Sequence, residues 1–153
     1  QRMPQDSYGW GQNMKARICA QTDNFYNIRI FNCFGGGEIS TRIFPKFLKQ
    51  QSLEISNDRY FDYFSIQDLC YLVNHCVENT WSVKDVNAVY KTKYKISQVL
   101  SMFCSLNEYD PDFYVSSESS NNYTASGQTL DKMSLDLQGL RQGLKTYLKE
   151  SNE

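Results

Sequence analysis

Cysteine and histidine spacing decides whether metal or thiol chemistry is open to a chain. The 153 residues include five cysteines, Cys19, Cys33, Cys70, Cys76 and Cys104, and one histidine, His75. No Cys-x-x-Cys pair occurs, whereas zinc sites need close-spaced ligand pairs, so no metal site is expected. An odd count without a disulfide spacing reads as reduced, structural cysteines, which behave as small buried hydrophobes. That usage points to a cytoplasmic protein. His75 reads as a helix-face residue. Taken singly, the other polar candidates have plain readings. Tyr8 is one of eleven tyrosines. Asn32 could form a turn ahead of the Gly35-Gly36-Gly37 loop. Arg29, within a strand, reads as locally paired. Asp68 reads as a helix cap, and Tyr60-Phe61-Tyr63-Phe64 as core and sheet surface.

The elements that position these residues follow from periodicity. Ser7 is the expected N-cap of a helix over 8–22, with Met14, Ile18 and Cys19 at helical spacing and Asp23-Asn24 as its stop. Residues 26–31 (YNIRIF) read as a strand. A helix over 41–51 tolerates Pro45 in its first turn. Short extended stretches follow at 53–56 and 60–64, separated by an Asn57-Asp58 turn. Ser65-x-x-Asp68 starts a helix that turns Leu69, Leu72, Val73, Cys76 and Val77 inward, with Cys70 near that face. Residues 86–90 read as a strand. Ser97 is the expected cap of a helix burying Val99, Leu100, Phe103 and Cys104. Residues 107–126 read as loop around one short strand near Phe113. A last helix spans about 137–149, with Leu137, Leu140, Leu144 and Leu148 in one stripe. The class is mixed α/β. The first strand has no earlier strand to pair with, so part of a sheet is expected to be missing. The start at Gln1, without an initiator Met, fits a piece of something longer.

Composition excludes whole classes. Apolar and aromatic residues make up 41%, aromatics alone 14%, and the formal net charge is −1. Disorder needs fewer aromatics and more charge. A near-neutral chain lacks the basic surplus of a nucleic-acid binder. No apolar run reaches the roughly 20 residues of a membrane span.

Two segments, Ser7-Tyr8-Gly9-Trp10-Gly11-Gln12 and Ile28-Arg29-Ile30-Phe31-Asn32-Cys33-Phe34-Gly35, lie one helix and a turn apart. Together they resemble the extended short-chain dehydrogenase/reductases, the NAD-dependent nucleotide-sugar epimerases and dehydratases. That family carries Tyr-Gly-x-Ser-Lys on a helix and then Leu-Arg-x-x-Asn-x-x-Gly on a strand. Arg29, Asn32 and Gly35 match the strand motif, and Pro4 to Gly9 match the approach to the tyrosine. Further similarity runs through Arg42–Phe47, Phe61–Leu69, Val86–Tyr90 with Ser97, and Tyr123–Leu144.

The resemblance implies a fold: the C-terminal part of a Rossmann-type epimerase, with the last sheet strands and a small mixed α/β substrate domain. Residues 1–35 would carry the tyrosine helix and following strand, and 36–153 the nucleotide-sugar region with the C-terminal helix. It implies Tyr8 and Gln12 at the catalytic positions. A phenol near pKa 10 needs help to act as a base at neutral pH. The family supplies a Lys charge one helical turn on, where this chain has Gln12. Asn32, Arg42, Lys46 and Arg59 are the implied substrate-binding residues, with Asn32 donating to a diphosphate oxygen. Phe61 replaces the family's Arg ahead of Asp62. The cofactor implied for the complete enzyme is NAD or NADP; the family's glycine-rich cofactor loop has no counterpart here, so none is expected for the isolated chain. Implied partners are a nucleotide sugar, a missing N-terminal Rossmann half and a second copy as homodimer, with no nucleic acid and no membrane. The alternative is a degenerate, non-catalytic relative that binds nucleotide sugar or protein.

Overall fold

A parallel strand pair cannot be closed by a tight turn, so each must be bridged by an intervening helix. The chain follows that rule throughout. The computed structural model describes residues 6–23, 25–50, 52–79, 84–107 and 112–151. Pro4, Gln5 and Asn24, and residues 108–111 of the expected 107–126 loop, lie outside them. The order is α1 (Ser7–Gln21), β1 (Asn27–Ile30), β2 (Cys33–Phe34), α2 (Ile43–Gln50), β3 (Ser52–Ile55), β4 (Phe64–Ser65), α3 (Ile66–Glu78), β5 (Asp85–Ala88), α4 (Ile96–Leu106), β6 (Asp112–Val115), α5 (Gln128–Lys132) and α6 (Gly139–Ser151). The named strands form three two-stranded parallel sheets: β1 with β5, β2 with β4, and β3 with β6.

In the first sheet Asn27 faces Asp85 and Arg29 faces Asn87. Arg29 reaches Asp85 at 2.9 Å and Asn87 Oδ1 at 3.2 Å. It is a cross-strand clasp, as a strand arginine is expected to be. Leu69, Leu72 and Cys76 of α3 pack with Val86 and Ala88 of β5 and with Leu130 and Met133 of the α5 region. A second core gathers Phe34, Phe44, Phe103 and Tyr147 with Leu100, Leu140 and Leu144. Phe44 and Phe103 stack at 5.0 Å. Helix α6 approaches β4 so closely that a Cβ on Gly143 would lie 2.8 Å from Ser65 Cβ.

Several local expectations are corrected. The cap of α1 is Asp6, whose Oδ1 accepts from the Gly9 N–H at 2.6 Å, rather than Ser7. A carboxylate is the stronger acceptor for free N–H groups at a helix start. Ser97 lies inside α4, behind the cap position at Lys95. Its N–H and hydroxyl both donate to Asp58, at 3.0 and 2.8 Å. A buried carboxylate from another segment therefore does the capping. Val73 and Val77 face solvent, Val77 at 80% exposure, and Cys70 is exposed too. The sheet takes only the Leu69–Leu72–Cys76 side of α3. Leu137 lies ahead of α6, and α5 falls where no helix was expected.

Asp68 is the largest departure. Ser65 caps α3 as expected, accepting from the Asp68 N–H at 3.2 Å. The Asp68 carboxylate, 2% exposed, turns away to α6. It accepts from the N–H groups of Gln138 (2.9 Å) and Gly139 (3.1 Å) and from the Tyr90 hydroxyl (2.5 Å). Asp68→Ala removes the acceptor of two part-buried backbone N–H groups and of the Tyr90 hydroxyl, which keeps Ser65 Oγ at 3.1 Å; it is expected to destabilise the fold by roughly 1–3 kcal/mol, read from the urea midpoint.

Candidate functional site

A cleft of about 270 Å³ opens between α2, β3 and the turn that follows β3. The amphipathic α2 puts Phe44 and Phe47 in the core, which leaves Lys46 on its outer side. Strand β3 alternates, with Leu53 and Ile55 inward and Glu54 outward, as a half-buried strand should. Lys46 and Arg59 both line the cleft, together with Glu54, Ser56 and Asn57. Two cations, one carboxylate and several neutral hydrogen-bonding groups thus face one concave surface. That combination suits an anion carrying polar substituents.

Arg59 is placed by what surrounds it. Its guanidinium lies 5.4 Å from the centroid of the Phe61 ring, a cation–π distance. Phe61 stacks on Tyr123 at 5.1 Å. Nη1 donates to the Asn121 carbonyl at 3.3 Å, while Nε is buried without a hydrogen-bond partner among the described residues. The residue that replaces the expected arginine therefore serves as the platform for the arginine two positions earlier.

Asn32 and Arg42 form a second unit. Asn32, 8% exposed, accepts at Oδ1 from Arg42 Nη1 at 3.1 Å. Its carbonyl accepts from the Phe64 N–H at 2.9 Å, where β2 meets β4. This contact orients the Asn32 amide so that its own N–H groups remain to donate. Tyr8 and Gln12 stand apart. Helix α1 packs on β1, Tyr8 is 76% exposed and Gln12 is exposed. Among the described residues no hydrogen bond joins either to Asn32, Arg42, Lys46 or Arg59.

Glu38 was not singled out by any motif. It sits in the loop between β2 and α2, and its Oε2 is buried without a hydrogen-bond partner among the described residues. Burial pushes its carboxyl up to about 7, and the Arg42 charge opposes that rise. The Cys33 thiol is raised too, by burial first and then by Glu38. Burial likewise raises the Tyr63 and Tyr147 phenols, and Glu38 adds to both. The sequence signal was a lone acid within a glycine-rich loop, four residues before Arg42.

The glycine run does not fit a dinucleotide. A Cβ on Gly35 would lie 2.2 Å from Ile66 Cγ2, and one on Gly36 would lie 2.7 Å from Glu150 Oε2. Gly36 already donates to that carboxylate at 3.0 Å. Its backbone is closed by α3 and α6 rather than open to a diphosphate, as a cofactor loop must be. Among the described residues no cluster of three or more His, Cys, Asp or Glu is placed to hold a metal. No helix among them is long and apolar enough to cross a membrane.

No sequence-family model matches the chain, and no curated protein matches it. Solved structures do. The UDP-glucuronic acid 4-epimerase of Bacillus cereus, in complex with UDP-glucuronic acid and NAD, superposes with a TM-score of 0.75 at 15% identity, over 99% of this chain and 54% of its own. The dTDP-glucose 4,6-dehydratase of Bacillus anthracis, in complex with NAD, gives 0.75 at 13%, over 97% and 53%. The chain has the fold of these enzymes over about half their length. An NAD-dependent NDP-hexosamine 5,6-dehydratase of tunicamycin biosynthesis gives 0.71 at 14%, over 97% and 55%. The α/β class and the Rossmann-type epimerase fold expected from the motifs are those of these neighbours.

The raised Glu38 carboxyl makes stability depend on pH. Its folded-state value, about 7, lies above the ordinary 4.5, so the fold favours the protonated acid. Its contribution is fully present below about 4.5 and is lost as pH rises through about 7. Glu38→Gln is expected to gain stability over the parent between these limits, by on the order of 1 kcal/mol after solvent screening. Urea unfolding of both proteins across the range reads it.

Proposed function

We propose that this chain is the C-terminal, nucleotide-sugar-binding portion of an NAD(P)-dependent epimerase, dehydratase or reductase. The observation that carries the reading is the cleft that Lys46 and Arg59 both line, in a fold shared with enzymes of nucleotide sugars. Residues 1–35 then belong to the cofactor-binding part and 36–153 to the substrate region. In this reading Lys46 and Arg59 meet the diphosphate charge, and the Asn32 amide, oriented by Arg42, donates to it. Tyr8 takes the proton-transfer position.

Completion would come from an N-terminal Rossmann half. Strand β1 pairs with β5, and Trp10, Met14, Ile18, Phe25 and Ile30 stand exposed on α1 and around β1. These positions would be covered by such a half, or by a second copy. The complete enzyme would work inside the cell, as the reduced cysteines lead one to expect. Its NAD or NADP would supply hydride chemistry, and this chain would position the sugar.

Gln12 favours a second reading, a non-catalytic relative that retains nucleotide-sugar binding. An uncharged amide does little to lower the pKa of a phenol. Both readings predict binding, and only the first predicts turnover. Gln12→Lys in a chain joined to its cofactor half is expected to raise hydride transfer. No gain with any nucleotide sugar would overturn the account in which the missing Lys charge is what limits turnover.

Thermal shift and calorimetry with UDP-glucuronic acid and dTDP-glucose test the binding. At least one is expected to stabilise the chain, since a ligand of the folded state raises its apparent stability. Arg59→Ala should weaken that ligand about tenfold, the loss of one charge-assisted hydrogen bond. NAD should give no shift. An unchanged affinity in Arg59→Ala would remove the cleft from the reading.

A further inference from the structure

The cleft carries three charges, and their signs limit what can fill it. Lys46 and Arg59 are its cations, Glu54 is its one carboxylate, and the remaining lining residues are neutral. Among the described residues none of the three takes part in an ion pair, so none is neutralised within the protein. Glu54 points outward from β3. The residue opposite it in the β3–β6 ladder is Tyr114, not a cation.

A cleft of about 270 Å³ is about 8 Å across, no wider than a Debye length at physiological salt. Charges anywhere within it therefore act on one another. The two cations match the two charges of a diphosphate. In a nucleotide sugar the sugar is bonded directly to the second phosphate, so a carboxylate on that sugar stays within reach of Glu54. It would find no third cation among the lining residues, and one like charge. A sugar bearing only hydroxyls stands in the opposite relation, because a carboxylate accepts from O–H donors.

We propose that Glu54 is a specificity residue of the nucleotide-sugar cleft: it admits nucleoside diphosphates of neutral, hydroxylated sugars and disfavours those whose sugar carries a carboxylate. The proposal rests on the nucleotide-sugar reading and adds the substrate class. Like charges in a cleft partly cleared of water repel more strongly than in bulk solvent. A repulsive group of this kind separates ligands that share every other contact.

The test is calorimetry of the 153-residue chain with two ligand pairs, UDP-glucose with UDP-glucuronic acid and dTDP-glucose with dTDP-glucuronic acid. Within each pair only the terminal carbon of the sugar differs, a hydroxymethyl in one and a carboxylate in the other. The wild type is expected to bind the glucose member about fivefold tighter, the effect of one like charge about 8 Å away. Added salt should shrink that preference. Glu54→Gln keeps the size of the side chain and removes its charge. It should bring the two members to within about twofold, chiefly by tightening the glucuronate. Glu54 is exposed, so this variant is expected to fold. Glu54→Lys should reverse the preference.

Whichever pair binds gives the answer. Equal affinities in the wild type, the opposite preference, or a preference that Glu54→Gln leaves unchanged overturns this proposal and leaves the nucleotide-sugar reading intact. No binding of any of the four ligands overturns both.

Discussion

Three buried carboxylates hold the molecule together, and all three come from one short stretch. Asp58, Asp62 and Asp68 are each 5% exposed or less. A carboxylate removed from water must find its hydrogen bonds inside the protein, and each of these finds them in a different distant segment. Asp58 takes the start of α4. Asp62 takes the Lys93 ammonium at 2.7 Å and the Ala125 N–H at 2.8 Å. Asp68 takes the start of α6 and the Tyr90 hydroxyl. The stretch from 58 to 68 is thus a spine onto which the later chain is fastened.

The cleft depends on that spine. Arg59 follows Asp58 directly, and Phe61 precedes Asp62. With both acids pinned, the guanidinium and the ring beneath it have little freedom. Backbone bonds reinforce the placement: the Ile96 N–H reaches the Arg59 carbonyl at 3.1 Å, and the Phe61 N–H reaches the Tyr94 carbonyl at 3.1 Å. Arg59 and Phe61 thus sit on a short extended segment bonded to the chain around 94–97.

The helices were legible in the sequence because their apolar spacing is set locally. Leu69, Leu72 and Cys76, or Leu140, Leu144 and Leu148, need only a helical period to be read. Where two stripes compete, period alone does not decide. Val73 and Val77 repeat as regularly as Leu69 and Leu72, and only the position of the β1–β5 sheet tells which side is buried. The cap expected of α4 failed for a similar reason. Ser97 has the right type for a cap, but Asp58 supplies the oxygen from 39 residues away. Among the substrate candidates, Lys46 and Arg59 meet in one cleft and Asn32 and Arg42 meet in one hydrogen bond. Glu38 carried no motif, because its behaviour comes from burial, and burial is a property of the packed loop.

The strand pairings also shape how the chain reaches its fold. Every named pair is parallel, and Asn27 meets Asp85 across 58 residues. Among the described residues no hairpin offers a cheap local nucleus. Closing loops of that length carries an entropy cost before the first ladder bond returns anything, and such long-range topologies fold slowly. Helices α3 and α4, whose contacts are local, form on a faster timescale. The contacts of Asp58, Asp62 and Asp68 join residues 22 to 71 positions apart, so the same closure cost bears on the polar anchors.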